Sequence, residues 1–327
     1  MPEKSCYIGI DVGSVSTNIV VIDNNDSVVQ RLYMRTGGRP IDAVIKGLSI
    51  IDGDFAGSIK GAGATGSGRQ LAFALAGADV VKNEITAHAV AACHIVPNVR
   101  TILEIGGQDS KIILLNGGVV CDFAMNTVCA AGTGSFLDRQ ASRLEIPIEE
   151  FGSYALRSKM PVHIAGRCAV FAESDMISKQ QAGHRNEDII AGLCEALVRN
   201  FLNNLAKGKR ITEPVMFQGG VAANIGIVAA FEKALGLKVI IPQRYDVMGA
   251  FGAALLAKEH MELFGGRTNF TGLRYPRGDY AVKSFECGGC SNMCEVIQII
   301  CGSGTAAHFG DRCGKWGATR KNEVKTV

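Results

Sequence analysis

The hydrophobic residues of this chain gather in short runs that end at clusters of glycine and hydroxyl residues. The run over 7–22, YIGIDVGSVSTNIVVI, predicts two short strands around a Gly/Ser/Thr turn, and the run over 101–115, TILEIGGQDSKIILL, predicts the same arrangement. When the two runs are aligned, their acidic residues and their glycines coincide: Asp11 with Glu104, and Gly13 with Gly106. The spacing of this internal repeat is too wide for a solenoid, so it predicts two similar α/β halves.

Strand and helix patterns alternate along the rest of the chain. Predicted strands lie at 214–220, which is PVMFQGG, and at 238–242; predicted helices lie near 132–145 and at 169–206, 221–236 and 246–260. The last of these helices has a face of small residues: Gly249, Gly252 and Ala253. Residues 265–285 are rich in Gly, Arg and Pro, and they predict a linker into a cysteine-rich tail.

Both predicted turns have the composition of a phosphate site. A tight turn of glycine and hydroxyl residues exposes successive backbone N–H groups, which can cradle phosphate oxygens. Asp11, at the end of its strand, can hold a magnesium ion through water, and in the second turn Gln108 and Asp109 can orient a water and a metal beside a γ-phosphate. The alternative is two ordinary hairpins, but two matching turns followed by QGGVAAN favour nucleotide binding.

A third glycine cluster points to a different cofactor. Residues 61–66, GAGATG, fit the G-x-G-x-x-G pattern, and Asp79 and Glu84 lie downstream, as in a dinucleotide-binding fold. The pattern follows only a short, poorly apolar stretch, GSIK, so the strand–turn–helix context that this motif needs is thin. The chain also lacks a Walker lysine motif. Nicotinamide binding is therefore disfavoured.

Composition is that of an ordinary globular protein of about two domains. The 327 residues are 47% hydrophobic and 20% charged, and the formal net charge of +3 is too weak to indicate nucleic-acid binding. The first residues, MPEKSCYIGIDVG, mix charge with apolar residues and are not typical of a signal peptide. No apolar stretch approaches the roughly 18 residues needed to cross a membrane. We expect a cytoplasmic protein with no membrane partner.

The eleven cysteines are unevenly distributed, and five of them crowd into the tail. Clustered cysteines without a secretory signal favour metal binding over disulfides. The predicted tail ligands, for zinc or for a second iron–sulfur cluster, are Cys287, Cys290, Cys294 and Cys313, with Cys301 as the spare. The alternative is a metal-free, partly disordered tail. We expect Trp316 to anchor the packing of this tail, and each of the six histidines to be structural.

The motifs GIDVGSVSTN, EIGGQDSK, MNTVCAAGTGSFLD, GRCAVFAESDMIS and QGGVAANIG, in this order, resemble the ATP-dependent activators of 2-hydroxyacyl-CoA dehydratases. That BadF/BadG/BcrA/BcrD ATPase family also includes ATPase subunits of benzoyl-CoA reductase and reductases of double-cubane cluster proteins. The resemblance covers roughly residues 5–260. It implies the two-lobed acetate-kinase/sugar-kinase/Hsp70/actin fold, a homodimer, and one oxygen-sensitive [4Fe-4S] cluster between the subunits.

The resemblance also implies domains and site residues. The first α/β lobe would comprise 1–93 with 247–264, the second lobe with the cluster helices 94–246, and the linker and metal-binding tail 265–327. By position, the first phosphate motif contains Asp11, Gly13, Ser14, Val15, Ser16 and Thr17; the second contains Gly106, Gly107, Gln108 and Asp109; the adenosine motif contains Gly219, Gly220 and Asn224; and the cluster cysteines are Cys129 and Cys168. Glu104 stands where the family more often has aspartate, which counts against a direct metal role.

Chemistry gives a reason for the unusual position of the two cysteines. Cys129 and Cys168 both precede predicted helix starts, AAGTGSFLD and AVFAESDMIS. A [4Fe-4S] cluster needs four thiolates, which a two-fold dimer supplies when each chain brings the same pair. Helix N-termini favour negative charge, and a thiolate-bound cluster is anionic. The alternative is that both residues are buried core cysteines.

The resemblance implies an ATP-driven one-electron reductant. Reduced ferredoxin or flavodoxin would supply the electron, ATP with Mg²⁺ would be bound and hydrolysed between the lobes, and a low-potential electron would pass to a partner iron–sulfur enzyme. One alternative is a small-molecule kinase of the same fold, such as a sugar kinase, which would need a general base for its substrate and has no use for the two cysteines. Another is a non-catalytic, nucleotide-dependent regulator.

Overall fold

The structure is a computed structural model that describes residues 5–55, 57–126, 129–166, 168–272, 280–301 and 304–316. The chain divides into two compact units. The first comprises Met1–Ala87 and Gly249–Val327, and the second comprises His88–Met248. This division groups the described part of the tail with the first unit, whereas the sequence pattern suggested a separate extension. The domain boundaries given in the sequence analysis stay predictions.

The elements alternate between strand and helix along most of the chain. In order they are β1 (Cys6–Val12), β2 (Ser16–Asp23), β3 (Val28–Arg35), α1 (Pro40–Phe55), β4 (Ile59–Thr65), α2 (Arg69–Ala76), β5 (Val80–Val81), α3 (Glu84–Ile95), β6 (Thr101–Ile105), β7 (Ser110–Asn116), β8 (Val119–Asn126), α4 (Gly134–Arg143), α5 (Ile148–Leu156), α6 (Ala169–Gln181), α7 (Asn186–Leu205), β9 (Val215–Gln218), α8 (Ile225–Leu235), β10 (Val239–Ile240), α9 (Met248–Phe264), β11 (Tyr280–Glu286), β12 (Glu295–Cys301) and β13 (Gly304–Phe309). Two 3₁₀ turns precede α4 and α8, at Ala130–Gly132 and Gly220–Ala223.

Each unit contains a five-stranded mixed sheet, as the internal repeat predicted. The strand order is β3-β2-β1-β4-β5 in the first unit and β10-β9-β6-β7-β8 in the second. In each sheet the hairpin with the predicted phosphate turn is antiparallel, and its first strand also pairs in parallel with another strand, β4 beside β1 and β9 beside β6. The two sheets therefore have the same local order around the two turns.

The glycines of the first sheet allow a helix to approach it at backbone distance. A Cβ on Gly9 of β1 would lie 1.9 Å from the carbonyl oxygen of Ala250, and a Cβ on Gly63 of β4 would lie 2.1 Å from that of Ala253. Both oxygens belong to α9, whose small-residue face had been predicted. Such close approach is possible only where neither strand carries a side chain toward the helix.

This packing also explains the GAGATG stretch. Gly61 and Gly63 lie inside β4 rather than in a turn after a strand. The dinucleotide motif requires its glycines at the strand-to-helix turn, so the structure agrees with rejecting that cofactor. The match to the dinucleotide pattern therefore includes two glycines, Gly61 and Gly63, that allow α9 to pack on β4.

The core of the second unit is built on α7, which is buried along most of its length. Phe201 of α7 packs edge-on against Phe231, with ring centroids 5.4 Å apart, and Phe231 packs in turn on Phe217 at 5.0 Å. The predicted helix over 169–206 is two helices, α6 and α7, because the chain turns at Gly183, where φ is +82°. The sequence pattern did not reveal α5 or β8.

The tail forms a three-stranded antiparallel sheet in the order β11-β12-β13. Its inward residues Ile299 and Ala307 belong to the same buried cluster as Leu71 and Leu75 of α2. Part of the predicted linker is thus a strand, since β11 begins at Tyr280. The Gly, Arg and Pro content of 265–285 concealed it, and residues 273–279 of that stretch lie outside the described residues.

The preceding stretch is also anchored to the first unit. The carboxylate of Asp79 accepts hydrogen bonds from the Thr268 hydroxyl at 2.6 Å and from the Asn269 backbone N–H at 2.7 Å. Phe270 then packs against the same core as the tail sheet. Within the described part of the chain, no helix has both the length and the apolar character needed to cross a membrane.

The close packing of α9 on β4 predicts an unusually costly glycine replacement. We expect Gly63→Ala to lower the free energy of unfolding by about 2 kcal/mol or more, because its new methyl group would meet the fixed backbone of Ala253. Gly53→Ala is the matched control, since Gly53 is exposed on α1 with no atom within 4 Å of its added Cβ, and there alanine should add about 0.5–1 kcal/mol. Urea unfolding of both variants measures the difference, and equal midpoints would contradict this packing account.

Candidate functional site

The first predicted phosphate turn joins β1 to β2 and is braced from outside the hairpin. The backbone N–H of Gly13 donates to the carbonyl of Ser16 at 2.9 Å, which closes the turn. Thr36, just after β3, donates from its N–H to the Val15 carbonyl at 2.8 Å and from its hydroxyl to the Gly13 carbonyl at 3.0 Å. These bonds occupy carbonyl oxygens of the turn and hold its backbone in one conformation.

The side chains of this turn differ in exposure. Ser14 is exposed and Ser16 is half-buried, whereas Thr17 is completely buried with its hydroxyl 3.0 Å from that of Thr36. Thr17 therefore supports the turn from within the sheet. Asp11 is half-buried near the end of β1, opposite Asn18 on β2 and Thr65 on β4.

The second turn joins β6 to β7 and rests on a buried ion pair. The N–H of Gly106 donates to the carbonyl of Asp109 at 3.0 Å, and Gln108 is exposed between them. Lys111 places its Nζ 2.8 Å from Oδ2 of Asp109 and 2.9 Å from Oε2 of Glu104. Its side chain is only 2% exposed, so one ammonium group compensates two carboxylates below the turn.

Lys111 is not among the predicted site residues, although its position in an apolar strand indicates a buried charge. The residue lies in the strand SKIILLN, where the four residues after it are apolar, and its cross-strand partner in the register is Glu104. A charged residue within a buried strand requires a partner of opposite charge. The pairing also occupies the Glu104 carboxylate, in keeping with the expectation that this residue does not bind metal directly.

The QGG segment lies directly beside the second turn. Gly219 has φ of +90°, and a Cβ there would lie 2.4 Å from the Ile105 carbonyl oxygen and 2.7 Å from Oε1 of Glu104. Only glycine satisfies both constraints. Gly220 begins the 3₁₀ turn that follows, and Asn224 caps α8 by accepting hydrogen bonds from the N–H groups of Gly226 at 3.0 Å and Ile227 at 3.1 Å.

The second turn is also bonded to the start of α4. The N–H of Gly134 donates to the Gly106 carbonyl, and the N–H of Ser135 donates to the Gly107 carbonyl, both at 2.8 Å. The Ser135 hydroxyl donates to the same Gly107 carbonyl. Because α4 follows Cys129 by only a few residues, these bonds join the second turn to the segment that carries this cysteine.

Cys129 is held by a reciprocal pair of hydrogen bonds. Its N–H donates to Oδ1 of Asn126 at 2.9 Å, and Nδ2 of Asn126 donates to its carbonyl at 2.8 Å. The 3₁₀ turn Ala130–Gly132 begins immediately afterwards, so the thiol stands at a helical N-terminus. The side chain is half-buried.

Cys168 occupies an equivalent position, as the N-cap residue of α6. The loop before it is fixed from α7, where Asn200 donates to the Gly166 carbonyl at 2.5 Å and Arg199 donates to the Ile164 carbonyl at 2.6 Å. Asn200 also borders the other cysteine segment, because its Oδ1 would lie 2.9 Å from a Cβ on Gly132. One buried asparagine therefore contacts the chain segments next to both cysteines.

The cysteines of the second unit differ in exposure. Cys194, inside α7, is completely enclosed, and burial raises the pKa of its thiol to about 12. Such a thiol stays protonated and is a poor metal ligand. Cys129 and Cys168 are half-buried free thiols, as is Cys93.

Four of the five tail cysteines lie at one end of the tail sheet, whereas Cys301 ends β12 at the other end. Cys287 is buried and follows β11, Cys294 precedes β12, and Cys290 and Cys313 are exposed. The Trp316 indole N–H, with the backbone N–H of Gly289, lowers the pKa of the Cys287 thiol from its ordinary value. Among the residues that the structure describes, no three Cys, His, Asp or Glu side chains are grouped so that they would already hold a metal ion.

Comparison with known proteins points to one family. Residues 8–257 match the BadF/BadG/BcrA/BcrD ATPase family. The chain is 36% identical to the 2-hydroxyisocaproyl-CoA dehydratase activator of Clostridioides difficile, over 76% of this chain and 94% of that protein. It is equally 36% identical to the (R)-2-hydroxyglutaryl-CoA dehydratase activating ATPase of Acidaminococcus fermentans, over 76% and 96% of the two chains.

Solved structures agree with this match. The activator of the 2-hydroxyisocaproyl-CoA dehydratase from Clostridium difficile, with bound ADPNP, superimposes with a TM-score of 0.72 and 33% identity, over 79% of this chain and 96% of that one. A ROK family glucokinase from Streptomyces griseus has a TM-score of 0.51 at 14% identity, over 78% and 100% of the two chains, and this likeness extends to the fold alone. The predicted acetate-kinase/sugar-kinase/Hsp70/actin fold is confirmed.

The ion pair under the second turn predicts a strong dependence on Lys111. Replacing it by methionine would leave Glu104 buried without its ammonium partner, so we expect Lys111→Met to lower the free energy of unfolding by about 3–5 kcal/mol. Lys233→Met is the control, because Lys233 pairs with Glu195 on the surface with 71% of its side chain exposed, and its loss should cost about 1 kcal/mol or less. Chemical denaturation compares them, and a Lys111→Met protein as stable as the control would show that the pair contributes no net stability.

Proposed function

Because this chain belongs to the BadF/BadG/BcrA/BcrD ATPase family, we propose that it is an ATP-dependent one-electron reductase that activates a partner metalloenzyme. The two relatives reported above are named as a dehydratase activator and a dehydratase activating ATPase for 2-hydroxyacyl-CoA substrates. An enzyme of that type, or one of the double-cubane cluster type, is the proposed acceptor, with ferredoxin or flavodoxin as the donor. We propose that the active form is a homodimer.

One observation carries this proposal, namely the pair of hydrogen bonds from Gly134 and Ser135 to the second turn. A phosphate-binding turn that is bonded to a helix beside a half-buried cysteine can couple nucleotide state to the position of that thiol. A simple kinase has no need of this connection. The sugar-kinase alternative is therefore not favoured, since its support is a likeness of fold at 14% identity.

In the proposed ATPase, the two turns supply the groups that bind phosphate. Backbone N–H groups at Ser14–Val15 and at Gly107–Gln108 would donate to phosphate oxygens, since the N–H groups of Gly13 and Gly106 close their own turns. Asp11 would hold Mg²⁺ through water, since this ion keeps most of its hydration shell. Exposed Gln108 would orient the attacking water, and Asp109, fixed by Lys111, would assist.

The nucleoside end is assigned to the glycine pair. Gly219 and Gly220 leave room for a ligand to approach the backbone, and Asn224 keeps a buried amide Nδ2 while its Oδ1 caps α8. We therefore assign Gly219, Gly220 and Asn224 to adenosine binding. ADPNP bound to the related activator is consistent with an adenine nucleotide as ligand.

Cys129 and Cys168 fit a bridging [4Fe-4S] cluster on the chemistry of the donor set. Both are free, half-buried thiols at helical N-termini, and each chain offers two of the four thiolates required. Such a cluster, when bound, supplies reversible one-electron transfer at low potential. The residues of the chain orient the thiolates, with Asn126 fixing the backbone at Cys129 and Asn200 fixing the loop before Cys168.

The cluster assignment predicts an iron content that depends on two cysteines. Protein prepared without oxygen should hold about four iron atoms per dimer, and Cys129→Ala and Cys168→Ala should each lose nearly all of it, because neither variant dimer keeps four thiolates. Cys121→Ala is the control, since Cys121 is an exposed thiol on β8 that should not affect iron. Iron analysis with visible absorption measures this, and full iron in the Cys129→Ala dimer would remove the cluster from the proposal.

The ATPase assignment predicts a selective effect at Gln108. Gln108→Ala should bind ATP with wild-type affinity but hydrolyse it roughly 100-fold more slowly, because the attacking water would no longer be oriented. Gln30→Ala, on β3, is a control that should keep wild-type turnover. Magnesium-dependent phosphate release, measured beside equilibrium nucleotide binding, separates the two steps. Unchanged turnover would exclude Gln108 from the mechanism, and sugar phosphorylation by the wild-type protein would favour the kinase.

A further inference from the structure

The tail sheet is an integral part of the first unit, yet it lies outside the family match, which ends at residue 257. Ile299 and Ala307 on its inner face are buried in the core of that unit. Function for this sheet must therefore be inferred from its own residues. Their most distinctive feature is the set of four cysteines at one end.

Strand direction brings these four cysteines to the same end of the sheet. Cys287 and Cys294 close the β11–β12 hairpin, with the Cys287 N–H donating to the Cys294 carbonyl at 2.9 Å. Cys290 lies in the loop between them, where its carbonyl accepts from the Met293 N–H at 3.2 Å. Because β13 runs antiparallel to β12, the chain leaves β13 beside the start of β12, and Cys313 follows shortly after Phe309.

The segment after β13 folds back onto Cys287. The indole N–H of Trp316 donates to Sγ of Cys287 at 3.3 Å, and its ring packs edge-on against Phe285 with centroids 4.7 Å apart. The backbone N–H of Trp316 donates to Asp311 at 3.1 Å. Cys313 lies between Asp311 and Trp316, so it is part of the same folded segment.

We propose that Cys287, Cys290, Cys294 and Cys313 bind one Zn²⁺ per chain and that the Trp316 indole N–H orients the Cys287 sulfur. Two cysteines that close a hairpin, a third that directly follows Gly288 and Gly289 in its loop, and a fourth from the segment after β13 supply the four ligands of a closed tetrahedral site. An N–H donor to a ligand sulfur is typical of the shell around such sites.

The four thiols are not grouped around a common point in the structure, so zinc binding must change the positions of some of them. Cys287 is buried and held by Trp316, while Cys290 and Cys313 are exposed on connecting segments. Zinc binding would have to bring the Cys290 and Cys313 side chains toward Cys287. Each of the four thiols releases one proton to solvent when it binds zinc.

We assign zinc because four cysteines, two of them joined by a backbone hydrogen bond at the closure of one hairpin, match the all-thiolate ligand set of a structural zinc site. The consequence is structural. Zinc would join the hairpin to the segment after β13 and hold that segment against the sheet.

The first test is metal analysis of the full chain, purified without oxygen and carrying Cys129→Ala and Cys168→Ala so that the proposed bridging cluster is absent. We expect about one zinc per chain and no iron. Adding Cys290→Ser, at an exposed position where folding is least affected, should weaken zinc binding at least 10-fold. Adding Cys121→Ser instead should leave zinc unchanged, because Cys121 is an exposed thiol of the other unit.

Three results would overturn the proposal: a protein without zinc, zinc binding that is unaffected by Cys290→Ser, or iron in place of zinc in this background. None of them bears on Cys129 and Cys168, which the background removes. Failure here is therefore distinguishable from failure of the proposed reductase.

Trp316 provides a second, independent readout because it is the single tryptophan of the chain. Adding Zn²⁺ to protein freed of metal by a chelator should change its fluorescence and saturate at one equivalent. The Cys290→Ser protein should require at least 10-fold more zinc for the same change. Zinc binding with no change in emission would overturn the assignment of Trp316 to the site.

Discussion

The candidate site of the second unit depends on one buried ammonium group. Lys111 Nζ lies within 2.9 Å of the carboxylates of Glu104 and Asp109, and the Lys111 side chain is almost completely excluded from water. An ammonium in that environment is tolerable only because two opposite charges contact it. The pair fixes the second turn at the ends of β6 and β7. Gly219 must lack a side chain because Glu104 lies against it. The carbonyl groups of the second turn accept the hydrogen bonds that Gly134 and Ser135 donate at the start of α4.

This arrangement would connect the proposed nucleotide site to the proposed cluster cysteines through hydrogen bonds and short chain segments. A peptide carbonyl at Gly107 accepts from Ser135, and a few residues earlier in the chain Cys129 is clamped by Asn126. The second cysteine is reached by a different route, since α7 holds the Cys168 loop through Asn200. Small shifts in a packed structure of this kind move whole elements, because interiors are close-packed and resist continuous deformation. That property is what an ATP-driven change in cysteine position would require.

Glycine has two distinct uses in this protein, and they are easily confused in the sequence. At Gly219 a left-handed backbone conformation and a crowded neighbourhood make glycine necessary for the site. At Gly9 and Gly63 glycine lets α9 contact the sheet at backbone distance. Gly61 and Gly63 of the GAGATG pattern belong to the second use, whereas Gly66, with φ of +95° after the end of β4, belongs to the first.

The sequence alone determined the two similar halves, the two glycine turns, the family and its fold, because these depend on local periodicity and on motifs that lie within a few residues of each other. It also identified Cys129 and Cys168 as exceptional, since each precedes a helix start. Only the tertiary structure decided that Lys111 joins Glu104 to Asp109, that Asn200 borders both cysteine segments, and that the tail is a sheet built into the first unit. The Asn200 and tail contacts join residues distant in sequence, whereas the Lys111 pairs depend on the strand register and on a turn, whose geometry the packed structure sets. The break between α6 and α7 is local, and Gly183, with φ of +82°, turns the chain between the two helices.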